Sequence, residues 1–270
     1  MPLPVTYLFV PGNRPERFAK AIASGADAVI IDLEDAVAPD DKVAARNAIL
    51  EFAASDRERA AVLLLRINDA ATQWFDADLE LVRRSHVGGL LLPKAEDASQ
   101  IERAGAALAH AGAVIPIVES ARGLLNVDAL AAAPRVQRLA FGTLDYAVDL
   151  DLSGDERGFA YPACRIALAS RAAGIASPIA GVTPEIGDEA KLLADLAFAR
   201  ACGFSAKLCI HPRQINAIRR ALMPTESEIA WARRVLAAAE AGRGAAQVDG
   251  KMVDRPVVLK AQGILDRASH

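Results

Sequence analysis

Residues 28–33 read AVIIDL, and this short apolar run decides the fold because the chain repeats its pattern throughout. The run is continuous in Ala, Val, Ile and Leu rather than alternating with polar residues, as expected of a strand buried on both faces. Ala-rich segments with helical character follow most such runs. Working outward from residues 28–33, seven further runs lie at residues 7–10, 61–67, 89–92, 114–118, 138–141, 178–181 and 206–210. Eight strands that alternate with helices favour an α/β fold, one closed parallel (β/α)8 TIM barrel, over an open sheet.

The C-terminal part of the chain has a different pattern. A helix-like run over residues 226–241 leads into the glycine-containing stretch 242–245, and a second helical pattern follows residues 250–256. An appendage beyond the eighth strand is a candidate for a lid or for an arm that reaches another subunit. We therefore predict a barrel domain over residues 1–225 and a C-terminal helical arm over residues 226–270.

The composition excludes several classes of protein. A net charge of −3 without a basic face, together with only 5% aromatic residues, argues against a nucleic-acid binder. The N-terminus lacks the pattern of a signal peptide, and no stretch approaches the roughly 18 apolar residues of a membrane span. The three cysteines, Cys164, Cys202 and Cys209, form no C-x-x-C pair. We expect reduced, mostly buried thiols in a cytoplasmic protein.

Charged residues follow several of the predicted strands, and the C-terminal ends of the strands form the rim that carries the active site in barrels of this kind. Glu119 follows the fifth strand and Asp145 the sixth. Carboxylates without paired histidines suit Mg²⁺ or Mn²⁺ rather than zinc. From the residues alone, either carboxylate could instead cap a helix or pair with an arginine, Arg122 or Arg66.

Three more carboxylates, Asp32, Glu34 and Asp35, follow the second strand, and Arg66 ends the third. They exceed what one metal ion needs. We expect at least one of them to hold a metal-bound water or to orient Arg66.

Motifs at the strand ends, taken in order along nearly the whole chain, resemble one known family. They are LFVPGNR (8–14), IDLEDAV (31–37), RIN (66–68), LPK (92–94), IVESA (117–121), FGTLDY (141–146), CIHP (209–212) and KMVDRP (251–256). The chain resembles the citrate lyase beta-subunit-like branch of the HpcH/HpaI aldolase superfamily, whose relatives include malyl-CoA and citramalyl-CoA lyases. It departs from the pattern at Leu144, where relatives often carry an acidic or polar residue.

The resemblance implies a (β/α)8 barrel that assembles as a trimer or a dimer of trimers. It implies Mg²⁺ on Glu119 and Asp145, and substrate contact by Arg66. It further implies that Asp254 in the arm serves as acid or base in a neighbouring subunit, whereas its position before Pro256 alone favours a helix N-cap. Two more basic residues are candidates for contacts to coenzyme A or substrate, Arg14 and Lys94.

The resemblance thus implies a Mg²⁺-dependent carbon–carbon lyase that splits a 3-hydroxyacyl-CoA thioester, such as malyl-, citramalyl- or citryl-CoA, into acetyl-CoA and a 2-keto acid. Two enzymatic alternatives remain: a metal-dependent aldolase acting on free pyruvate or oxaloacetate, and a Schiff-base aldolase using Lys94 or Lys207. A third alternative is a non-catalytic subunit that binds a CoA ester or keto acid within a lyase complex.

Overall fold

The computed structural model describes residues 3–55, 61–108, 112–241 and 247–268. The chain divides into two compact units, Pro4–Ile218 and a C-terminal unit that begins at Arg219. None of the described helices is both long and apolar enough to cross a membrane.

The first unit is a closed barrel of eight parallel strands, in the order of the chain, which confirms the predicted (β/α)8 fold. The strands are β1 (Thr6–Pro11), β2 (Ala28–Asp32), β3 (Val62–Arg66), β4 (Gly89–Leu92), β5 (Ala113–Val118), β6 (Ala140–Phe141), β7 (Ile179–Ala180) and β8 (Ala206–Cys209). The helices of this unit are α1 (Phe18–Ile22), α2 (Lys42–Ser55), α3 (Phe75–Ser85), α4 (Ala98–Ala107), α5 (Ala121–Leu125), α6 (Val127–Ala132), α7 (Thr143–Asp149), α8 (Arg157–Ala172) and α9 (Glu189–Ala201). Helix α10 (Arg213–Leu222) follows β8.

Alternate residues of the strands fill the inside of the barrel, because successive side chains of a strand point to opposite faces. Ala28 and Ile30 of β2, Leu64 of β3 and Ile115 and Ile117 of β5 belong to one buried apolar cluster. The same alternation assigns the next inward positions, at the carboxyl ends of these strands, to polar residues.

Arg138 ties together the amino-terminal end of the barrel. Its side chain is 2% exposed. The guanidinium donates to the Ser177 carbonyl oxygen at 2.8 Å, to the Pro4 carbonyl oxygen at 2.8 Å, and to the hydroxyls of Tyr7 at 3.2 Å and Ser205 at 2.8 Å. The sequence pattern places Arg138 in a strand over residues 138–141. In the structure the strand is shorter, Ala140–Phe141. Arg138 precedes it, and its side chain donates hydrogen bonds to these four groups instead.

Replacing Arg138 by methionine is expected to lower the free energy of unfolding by about 3–5 kcal/mol, since buried carbonyl oxygens would lose their donor. Urea denaturation followed by circular dichroism measures the change. The exposed Arg84 provides a control, because its replacement by methionine should cost less than about 0.5 kcal/mol. Equal small losses for both variants would contradict the bracing role of Arg138.

The C-terminal unit has its own small core. Helix α11 (Glu226–Ala241) and helix α12 (Arg255–Ala268) pack together through Ala232, Val235, Ala261 and Ile264. Between them, β9 (Gln247–Val248) and β10 (Lys251–Met252) form an antiparallel hairpin. Its two turn residues, Asp249 and Gly250, have φ values of 52° and 74°, which a type I′ turn requires.

The cysteines correct one expectation. Cys209 is buried, but Cys202 is partly exposed and Cys164 is exposed, so the prediction of mostly buried thiols is wrong. Cys164 lies on α8. Because this helix is rich in alanine, its sequence pattern does not reveal which face packs against the barrel.

Candidate active site

The polar residues at the strand ends continue the inward-facing series of the barrel. Asp32 follows Ala28 and Ile30 at the period of two, Arg66 follows Leu64, and Glu119 follows Ile117. Asp32 and Arg66 are also register partners on neighbouring strands. Five of the predicted site residues line one cavity of about 410 Å³ at this rim: Asp32, Asp35, Arg66, Glu119 and Asp145.

Arg66 is held in place by carboxylates. Its Nε lies 2.7 Å from Oδ1 of Asp32 and its Nη2 lies 2.6 Å from Oδ2, a bidentate pair. Nη1 lies 2.8 Å from Oε2 of Glu34 and 3.5 Å from Oδ2 of Asp35. Burial acts to lower the pKa of Arg66, but the three carboxylates outweigh it and hold the pKa above its ordinary value. Arg66 is therefore a fixed cation whose orientation is set from the second strand.

Lys94 connects two of the carboxylates. Its backbone N–H donates to Oε1 of Glu119 at 2.7 Å, and its Nζ donates to Oε1 of Glu34 at 2.8 Å. Its φ of 45° lies in the left-handed region, which is uncommon for a residue with a side chain and aims the backbone N–H at Glu119. Burial acts to lower the pKa of Lys94, but Glu34 raises it above the ordinary value.

Glu119 is a buried carboxylate that faces the cavity from the end of β5. It is 4% exposed. Burial, followed by the nearby charges of Glu34 and Asp145, raises the pKa of Glu119 to about 8, although the N–H of Lys94 opposes the shift. A cation close to Glu119 would stabilise the ionised form of this carboxylate.

Gly142 makes room for that carboxylate. A Cβ at residue 142 would lie 2.2 Å from Oε2 of Glu119 and 2.6 Å from its Cβ, closer than van der Waals contact allows. The missing side chain lets Glu119 lie beside Asp145, which is half-buried in the first turn of α7.

These residues fit a hard divalent cation. The surroundings of the buried Glu119 disfavour the ionised form of its carboxylate. The charge of Asp145, which lines the same cavity, adds to this effect. Within the described ranges, no three or more His, Cys, Asp or Glu side chains are grouped so as to hold a metal ion. Two protein carboxylates are what Mg²⁺ typically takes, since it keeps several waters or substrate oxygens.

A lysine that the sequence did not point to organises the loop after β2. The Nζ of Lys42 donates to the carbonyl oxygens of Leu33 at 2.6 Å and Glu34 at 2.8 Å, and to Oδ1 of Asn68 at 2.7 Å. Asn68 in turn donates to Asp78 at 2.6 Å through its side chain. This buried network fixes the backbone that presents Glu34. A lysine at the start of a surface helix gives no sequence signal for such a role.

The remaining predicted residues have other contacts. Arg14 is exposed, and its Nε lies 2.7 Å from Oε1 of Glu16. Asp254 is exposed in the C-terminal unit, where its Oδ1 accepts from the N–H of Val257 at 3.1 Å, as an N-cap of α12 does. Lys207 is buried, and its Nζ donates to the carbonyl oxygen of Gly181. Arg122 lies 3.7 Å from Glu96 rather than beside Glu119.

Comparison with known proteins gives a consistent result. The family described as HpcH/HpaI aldolase/citrate lyase matches residues 6–212, and one described as C-C_Bond_Lyase of the TIM-Barrel fold matches residues 169–270. A citrate lyase subunit beta-like protein of Mycobacterium tuberculosis is 40% identical, over 98% of this chain and 95% of that protein. A (3S)-malyl-CoA thioesterase of Cereibacter sphaeroides is 34% identical, over 97% and 93%. The structure of CitE from Mycobacterium tuberculosis in complex with magnesium, acetoacetate and coenzyme A superposes with a TM-score of 0.86 at 38% identity, covering 98% of each chain.

Proposed function

The chain belongs to the HpcH/HpaI aldolase/citrate lyase family of carbon–carbon lyases, and from this premise we propose that it is a Mg²⁺-dependent lyase of 3-hydroxyacyl-CoA thioesters that carry a carboxylate on the hydroxyl-bearing carbon. The products are acetyl-CoA and a 2-keto acid. The observation that carries the proposal is the buried Glu119 facing the same cavity as Asp145 and the carboxylate-held Arg66. The CitE complex with magnesium, acetoacetate and coenzyme A supports it.

Glu119 and Asp145 are the proposed metal ligands. When bound, Mg²⁺ supplies Lewis-acid stabilisation of the substrate oxygen whose charge changes as the carbon–carbon bond breaks. Lys94 keeps Glu119 oriented through its backbone N–H, so that Oε1 is fixed by that hydrogen bond. Asp32, Glu34 and Asp35 form ion pairs with Arg66 and orient it.

Arg66 is the proposed stabiliser of the enolate. The hydroxyl gives its proton to water of the cavity and becomes the carbonyl of the keto acid. The bond between the hydroxyl-bearing carbon and the α carbon of the thioester breaks, and its electron pair moves to the thioester as an enolate. The Nη2 of Arg66 carries a second N–H beyond the one that it donates to Asp32. A donor held in place before the charge develops stabilises the transition state without reorganising.

Asp254 is the proposed acid that protonates the enolate carbon, or the base for the reverse condensation. Following the family resemblance, the arm at residues 226–270 would bring it to a neighbouring subunit of a homotrimer or hexamer. Asp254→Asn separates this role from helix capping, because asparagine caps a helix as well as aspartate does. We expect kcat to fall about 10²-fold with the melting temperature unchanged. Unchanged kcat would leave Asp254 as a cap alone.

Arg14 and Lys94 are the proposed cationic contacts to the CoA ester. Arg14 follows the turn after β1 and has a side chain that is 49% exposed, so a phosphate group can reach it. Lys94 donates one N–H of its ammonium group to Glu34, and a substrate carboxylate would accept from the N–H groups that remain.

The test is an assay of malyl-, citramalyl- and citryl-CoA in Mg²⁺ and in EDTA, with both products identified. Release of acetyl-CoA with glyoxylate, pyruvate or oxaloacetate, dependent on Mg²⁺, is the expected result. Free CoA together with intact malate would indicate thioester hydrolysis, the activity for which the 34% identical Cereibacter sphaeroides relative is named, and would contradict a lyase. Cleavage that survives EDTA would contradict the metal role.

Gly142→Ala should weaken Mg²⁺ binding about 10–100-fold, because the added methyl group displaces the Glu119 carboxylate from beside Asp145. Isothermal titration with Mg²⁺ measures the effect. Gly187→Ala is a matched control, since a Cβ at that position meets nothing within 4 Å. Equal affinities for the two variants would argue against Glu119 as a ligand.

A further inference from the structure

A second cavity of about 390 Å³ adjoins the candidate active site. It lies among α7, α8, α9 and the strands β6 to β8, and four phenylalanines border it: Phe141, Phe159, Phe198 and Phe204. Phe141 and Phe159 pack edge to face with ring centroids 6.2 Å apart. We call this space the side cavity.

Three of the polar side chains around the side cavity, those of Asp195, Lys191 and Lys207, have partners within the protein. Asp195 accepts from the hydroxyl of Thr183 at 2.6 Å and pairs with Lys191 at 2.9 Å. Lys207, which is 2% exposed, donates to the carbonyl oxygen of Gly181. This burial lowers the pKa of Lys207 to about 8. Thr143, Glu156 and Glu185 also border the side cavity, but most of its lining is aromatic and aliphatic.

The two cavities share a wall. Thr143, Leu144, Gly181 and Val182 border both of them. The wall is closely packed at Gly181 and has no room for a side chain there, since a Cβ would lie 2.7 Å from the carbonyl oxygen of Phe141 and 2.7 Å from Oγ1 of Thr143. The β7 strand has ended at Ala180, so the backbone is no longer paired in the sheet at this point.

Leu144 lies where the active-site cavity meets the shared wall. Its side chain is 50% exposed and precedes Asp145, one of the proposed metal ligands. A substrate whose hydroxyl and carboxylate lie at Glu119 and Asp145 would have its third substituent within reach of Thr143 and Leu144.

We propose that the side cavity receives a hydrocarbon substituent on the hydroxyl-bearing carbon of the substrate, so that the 2-keto acid released carries an aliphatic chain longer than methyl. This inference rests on the proposed lyase function and names its substrate class. Apolar burial is the source of the preference. Each added methylene that leaves water is worth about fourfold in kcat/KM.

The test uses a series of CoA thioesters that differ in the substituent on the hydroxyl-bearing carbon, from hydrogen and methyl to propyl and butyl. Ala163→Leu fills the side cavity from α8, where Ala163 is 3% exposed. Ala172→Leu on the same helix is the matched control, because Ala172 is exposed and does not border the cavity. Leu144→Asn places a polar group at the shared wall through an exposed side chain, and circular dichroism reports folding.

For the wild type, kcat/KM is expected to rise about fourfold with each methylene. Ala163→Leu should lower kcat/KM for the butyl substrate more than tenfold and leave the methyl substrate within about twofold. Leu144→Asn should flatten the series, and Ala172→Leu should match the wild type. Should Ala163→Leu fail to fold, the Leu144→Asn series decides.

Two results would overturn the inference in distinguishable ways. Efficient cleavage of the hydrogen or methyl substrate, with no gain from longer chains, would remove the side cavity as a subsite and leave the lyase function standing. No cleavage of any thioester in Mg²⁺ would overturn the proposed function and the inference together.

Discussion

Glu119→Gln is expected to lower kcat/KM about 10³-fold and to abolish Mg²⁺ binding. The substitution keeps the shape of the side chain and an acceptor for the Lys94 N–H, which lies 2.7 Å from Oε1. It removes the negative charge that a divalent cation requires and turns an amide toward Asp145. The loss is therefore electrostatic rather than steric.

Stability in EDTA separates this effect from unfolding. Glu119 is buried and its pKa is raised to about 8, so a neutral amide at this position should leave the melting temperature in EDTA unchanged or higher. In the wild type, Mg²⁺ at about 100 times its Kd should add about 2.7 kcal/mol of stability, and the variant should gain none.

Glu102→Gln is the control, because Glu102 is exposed on α4 and lies outside the cavity. It should bind Mg²⁺ and turn over as the wild type does. Retention of Mg²⁺-dependent stabilisation by Glu119→Gln would move the metal away from β5 and undo the assignment of both carboxylates.

The barrel was predictable because parallel strands covered by helices must be apolar on both faces, and eight such runs are visible. The same continuity hides which side of each strand faces inward. In AVIIDL, only the structure shows that Asp32 continues the series of Ala28 and Ile30. The sequence could place Asp32 and Arg66 at one rim but could not foresee their bidentate contact.

Contacts made by backbone atoms could not be predicted from the sequence. Lys94 was predicted as a contact to coenzyme A or substrate, yet its backbone N–H holds Glu119 and its Nζ holds Glu34. Lys42 contacts two carbonyl oxygens, which carry no residue identity that a pattern can reveal. The left-handed backbone at Lys94, a residue type with no preference for that region, likewise has no sequence signal.

The site thus separates two tasks between its acidic residues. Glu119 and Asp145 face the cavity with the charge that a cation needs, whereas Asp32 and Glu34 form close ion pairs with Arg66. This explains why the rim carries more carboxylates than one metal ion requires. It also means that Arg66 can be altered without touching the proposed metal ligands.

Arg66→Lys is expected to lower kcat/KM about 10²–10³-fold while Mg²⁺ affinity stays close to that of the wild type. A lysine keeps the charge but cannot make the bidentate contact, at 2.7 and 2.6 Å, that aims the guanidinium.

Arg66→Met has a larger effect on stability, because it leaves Asp32 and Glu34 buried without their cation. We expect it to lower the free energy of unfolding by about 3–5 kcal/mol. The exposed Arg103, paired with Asp76 at 2.9 Å, is the control, and its replacement by methionine should cost at most about 1 kcal/mol.

A double variant decides whether Arg66 serves catalysis or only stability. Adding Asp32→Asn to Arg66→Met removes the stranded charge and should recover part of the lost stability, measured by urea denaturation. Activity should stay at the level of Arg66→Met, because the donor for the enolate oxygen is still absent. If stability and kcat/KM recovered together, Arg66 would be a structural partner of Asp32, and the stabiliser of the enolate would have to be another residue of this rim.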